Sequence, residues 1–74
     1  MPYLPKISGQ VAMKIFEKLG WDKIRQKGSH CRMKKENLKI VIPNHKELDT
    51  GTLKAIIRQS GLTNEEFIKF YNKF

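Results

Sequence analysis

Arg25, Lys27 and Arg32 bracket the run Gly28-Ser29-His30, and a second histidine, His45, follows Pro43-Asn44. An imidazole is the only side chain whose unperturbed pKa, about 6.5, lets it take or give a proton near neutrality. His30 stands among cations, beside a glycine that lets another backbone approach closely. That combination suits chemistry on a phosphate-bearing polymer. The competing reading is that a lone histidine near a hairpin turn is only polar filling. In the first reading His30 is the candidate proton-transfer group, and Arg25, Lys27 and Arg32 are the candidate phosphate-binding cations. Gly28 keeps the approach open for a sugar–phosphate backbone. Ser29 either orients the imidazole or a phosphate, or simply shapes the turn. His45 is a secondary candidate; the competing role is ordering its own loop. A metal site from His30, Cys31 and His45 is disfavoured, because strand alternation sends His30 and Cys31 to opposite faces and no further ligand cluster is evident. No cofactor is expected.

The bulk composition points the same way. Fifteen Lys and Arg against seven Asp and Glu give a formal charge of +8 and a pI near 9.9. That balance calls for a polyanionic partner, with nucleic acid ahead of an anionic membrane or an acidic protein. A membrane partner would require an amphipathic basic helix or an apolar span of about 18 residues, and the chain has neither. The start lacks the apolar run of a secretory signal. One cysteine, Cys31, excludes an internal disulfide and suits a reducing compartment, so a cytoplasmic location is the expectation. At 74 residues the chain makes one domain, residues 1–74, which buries only about 60% of its unfolded surface. An active site should therefore lie at the surface.

The elements that must position these groups are legible from periodicity. Pro2 and Pro5 keep the first residues out of a helix. Ser8 is a good N-cap, Val11, Ala12, Ile15, Phe16 and Leu19 form one apolar stripe, and Gly20 suits a left-handed stop. Residues 21–27, 30–34 and 38–42 alternate with period two, separated by turns at Lys27-Gly28-Ser29 and Lys35-Glu36-Asn37. The expected covered face holds Ile24, Cys31, Met33, Leu38, Ile40 and Ile42. The open face then carries Lys23, Arg25, Lys27, His30, Arg32, Lys34 and Lys39 as a basic plate. Asp49 or Thr50 caps a second helix with Leu53, Ile56 and Ile57 buried. Thr63-Asn64-Glu65-Glu66 is a capping box for a short last helix, whose stripe is Phe67, Ile68, Tyr71 and Phe74. Trp21 should pack at the end of the first helix. The expectation is an α+β two-layer sandwich, α-β-β-β-α, with a three-stranded antiparallel sheet and a short extra C-terminal helix.

The runs Gly20-Trp21, Arg25-Gln26-Lys27-Gly28-Ser29-His30, Ile42-Pro43-Asn44-His45 and Gly51-Thr52-Leu53 resemble the HicA toxins. Glu47-Leu48, Ile56-Ile57, Gln59 and Gly61-Leu62 extend the likeness. It covers about residues 7–62 as the core, leaving 63–74 as an added helix. The resemblance implies a fold like a double-stranded-RNA-binding domain and a metal-independent ribonuclease acting on messenger RNA. It also implies a catalytic histidine at His30 and a HicB-type antitoxin as protein partner. On that likeness His30 is the general base for the ribose 2′-hydroxyl, Arg25, Lys27 and Arg32 stabilise the charge developing on phosphorus, and His45 is a secondary candidate for general acid. A non-catalytic RNA-binding module of the same fold is the first alternative, and a subunit that binds an acidic protein is the second. Oligomeric state and cleavage specificity are not legible in the residues.

Overall fold

The computed structural model describes residues 4–73; the expectations for Pro2 and Phe74 lie outside that range. The order is α1 (Gly9–Lys18), β1 (Asp22–Lys27), β2 (His30–Lys35), β3 (Leu38–Pro43), α2 (Thr50–Gln59) and α3 (Asn64–Lys73). The strands form one antiparallel sheet in the order β1-β2-β3, the α+β arrangement that the alternation requires.

The helix ends follow from their sequences. Ser8 Oγ accepts the Val11 backbone N–H at 3.1 Å, satisfying one of the orphan donors of the first turn. At the other end of α1, Gly20 takes φ +96°, and Lys35 Nζ donates to the Leu19 carbonyl at 2.8 Å. That places a cation where the helix dipole is negative. Asp49 occupies the N-cap of α2 but makes no side-chain cap bond; its carbonyl accepts the Leu53 N–H at 2.9 Å. Before α3 the capping box closes in both directions. Thr63 N–H donates to Glu66 Oε1 at 3.0 Å, and Glu66 N–H donates to Thr63 Oγ1 at 3.1 Å.

The core lies between one sheet face and the helices. Cys31, Met33, Ile40 and Ile42 supply the sheet side, and Ala12, Met13, Ile15, Phe16, Leu53, Ile56 and Ile57 the helix side. Trp21 is buried with its ring edge-on to Phe16, centroids 5.7 Å apart. It packs rather than offering a face to a base. Burial pushes the Cys31 thiol above its ordinary range, opposed by nearby Lys23 and reinforced by Glu17.

The expected alternation fails on β1. Lys23 pairs with Met33 and Arg25 with Arg32, so Ile24 has no partner: the strand carries a bulge. An extra residue resets the phase, and two assignments change. Ile24 is 50% exposed instead of covered. Lys23 shares a face with Met33 and lines a hollow with Met13, Glu17 and Gln26, on the α1 side rather than the open one. Leu38 keeps its phase but sits at the sheet's end, 44% exposed.

Gly9 joins the helix layer to the sheet end. Its N–H donates to the His45 carbonyl at 2.9 Å, and a Cβ there would come within 2.0 Å of the Pro43 carbonyl oxygen. The obstruction is backbone, so no rotamer relieves it. Gly9→Ala should destabilise the fold by at least the 1–3 kcal/mol typical of overpacking, roughly, and thermal melting will show it. Gly51→Ala, with open space around the new methyl, should melt at or above the parent temperature.

Candidate functional site

With the bulge included, the open sheet face is ordered in three rows across the strands. Lys27, His30 and Pro43 stand opposite one another at the hairpin end. Arg25, Arg32 and Val41 come next, and Asp22, Lys34 and Lys39 form the last row. Apart from half-buried Pro43, these side chains are exposed.

A depression of about 310 Å³ opens on the first two rows, lined by Arg25, Lys27, His30, Arg32 and Val41. Four residues singled out from the sequence are thereby brought together on one surface. The strand pairing dictates this. His30 is the first residue of β2, so it faces the way of Arg32 two positions on, and Lys27 and Arg25 are their partners on β1. Like charges placed directly opposite on a sheet repel, yet Arg25 faces Arg32 and Lys34 faces Lys39. No carboxylate forms an ion pair with Arg25, Lys27, Arg32, Lys34 or Lys39 among the described residues. In the two rows nearest the hairpin the fold holds these cations with no carboxylate opposite, which suits a surface whose counter-charge comes from a ligand.

Gly28 and Ser29 form the turn behind His30. Gly28 adopts φ +58° with nothing within 4 Å of where a Cβ would be. It serves both the tight turn and unhindered access from solvent. The Ser29 carbonyl accepts the Asn44 N–H, which ties this turn to the strand end opposite and fixes the place where His30 enters the sheet. The Ser29 side chain is exposed.

His45 is not in the depression with His30. It lines a second hollow with Ser8, Gln10, Asn44 and Lys46, at the end of α1, and its carbonyl holds Gly9. This separation has no signature in the residues, since the loop of residues 44–49 has no period to read. Val41 is the residue that the sequence-based site lacks. Its signal was an apolar side chain in the polar phase of β3, two positions from Lys39. Among the described residues, no three His, Cys, Asp or Glu side chains gather as a metal-binding group, and no helix is long and apolar enough to cross a membrane.

Among known families the chain matches the model described as the HicA toxin of bacterial toxin–antitoxin systems, over residues 10–62. No match was found among curated proteins or among solved structures.

Proposed function

This chain belongs to the HicA family of toxins from bacterial toxin–antitoxin systems, and on that premise we propose that it is a metal-independent endoribonuclease acting on messenger RNA. The observation that carries the reading is the exposed His30 sharing a depression with Arg25, Lys27 and Arg32. In the proposed reaction the neutral imidazole takes the proton of a ribose 2′-hydroxyl. The 2′-oxygen then bonds to the adjacent phosphorus while the bond from phosphorus to the 5′-oxygen breaks, and a water molecule gives that leaving oxygen its proton. The products are a 2′,3′-cyclic phosphate and a free 5′-hydroxyl. Arg25, Lys27 and Arg32 hold the phosphate and stabilise the additional negative charge of the phosphorane, where fixed cations act without reorganising. Gly28 leaves space for the RNA backbone, and Ser29 orients the phosphate at the turn.

The same cationic face is the natural target of a HicB-type antitoxin, which would silence the toxin by covering it with acidic side chains. Charge complementarity supports that partner.

The deciding experiment incubates the purified protein with labelled single-stranded RNA in excess chelator. Cleavage to cyclic-phosphate ends is the expected result. A DNA strand of the same sequence should survive, because it lacks the nucleophile. Tight, salt-sensitive binding with no cleavage would replace the enzyme by an RNA-binding module.

A further inference from the structure

The three rows have a spacing and a polarity that the ribonuclease reading does not use. Along β2, His30, Arg32 and Lys34 point to the same side. Residues two apart on a strand are separated by roughly 6.6–6.8 Å, close to the phosphate-to-phosphate step of an extended single strand. Charge declines along the rows. The first two contain cations with no acid opposite, whereas in the third Asp22 stands across from Lys34. Val41, 40% exposed, is an apolar surface set among guanidinium groups in the middle row.

We propose that the open sheet face is a directional track for one unpaired RNA strand, running along β2 with one phosphate to each row. Cleavage occurs at the His30 row. The next phosphate lies between Arg25 and Arg32, with its base unstacked against Val41. The third lies on Lys34 and Lys39, where Asp22 weakens the hold and marks the track's end. The proposal rests on the ribonuclease reading and adds Lys34, Lys39, Asp22 and Val41 to the substrate contacts. A duplex is not the occupant: its bases are paired inward and offer Val41 nothing to cover, and recognition through unstacked bases is how single strands are commonly read.

The test measures fluorescence anisotropy with 2′-O-methyl oligonucleotides, which cannot be cleaved, as a dinucleotide, a tetranucleotide and an octanucleotide. Wild-type affinity should rise from the dinucleotide to the tetranucleotide and then level off. In a Lys34→Ala/Lys39→Ala variant the loss should grow with length. Its salt slope on the tetranucleotide should be shallower by about 0.7, one single-strand phosphate contact. Asp22→Asn should tighten the tetranucleotide more than the dinucleotide. Val41→Ala should erase the preference for a tetranucleotide over its abasic counterpart. If the double variant follows wild type at every length, or a duplex of equal length binds more tightly than the single strand, the track is wrong. Cleavage of RNA by the wild type, assayed separately, would then still uphold the ribonuclease reading. Failure of both assays removes the two together.

Discussion

His30→Ala should lower the rate of RNA cleavage by about 10²–10⁴-fold, the usual worth of a positioned general base, while leaving the melting temperature close to that of the parent. The side chain is exposed at the first position of β2 and belongs to no part of the buried core. Truncating it therefore creates no cavity. RNA affinity should change little, because phosphate attraction resides in Arg25, Lys27 and Arg32, which the substitution leaves in place. The opposite signature is expected for Arg32→Ala: weaker binding, a shallower dependence on salt, and a rate deficit that high RNA concentration partly recovers. Added imidazole should restore part of the His30→Ala rate by supplying the missing base from solution. A purified His30→Ala protein that cleaves at the parent rate would take the base away from His30 and leave the depression as a binding site alone.

The two assignments that changed and those that held separate on one physical ground. Periodicity reads a strand's facing correctly while the chain keeps its phase, as β2 and β3 do: Cys31, Met33, Ile40 and Ile42 are all buried, and His30, Arg32, Lys34 and Lys39 are all exposed. Leu38, expected to be covered, keeps its phase but is exposed at the sheet's end. On β1 a single unpaired residue, Ile24, shifts everything before it, and no residue type announces that shift. Arg25 and Lys27 share a face with His30 and Arg32 because they lie on the hairpin side of the bulge, in register through a tight turn. Lys23 lies beyond the bulge and therefore turns to the α1 side of the sheet. Caps were legible because each is a local bond between residues close in sequence, as at Ser8 and Thr63. The position of His45 was not, since a loop's path is set by distant backbone contacts such as the Gly9 N–H to its carbonyl.

Phe67→Ala tests whether the last helix is an appendage, and the expected result is that it is not. The family match ends at residue 62, yet the Phe67 ring, five residues later, is 0% exposed, with its centroid 5.8 Å from that of Phe16. Phe16 in turn meets Trp21, so α3 completes an aromatic cluster against which α1 is set. Ile68 and Tyr71 pack on the same core from the helix face beside it. Removing a buried phenylalanine ring costs about 3–5 kcal/mol. A chain of this length has only about 4–11 kcal/mol of stability in total. The melting midpoint should therefore fall by more than about 12 °C, with a large share of molecules unfolded in mild urea. Phe70, 40% exposed on the same helix beside Ile15 and Leu19, should cost about 1 kcal/mol or less as Phe70→Ala. Equal losses for the two variants would mean that α3 merely rests on the surface. Because α3 packs on the side of the sheet away from His30, the folded fraction of Phe67→Ala should retain the parent's cleavage rate, so the defect will be one of stability and not of chemistry.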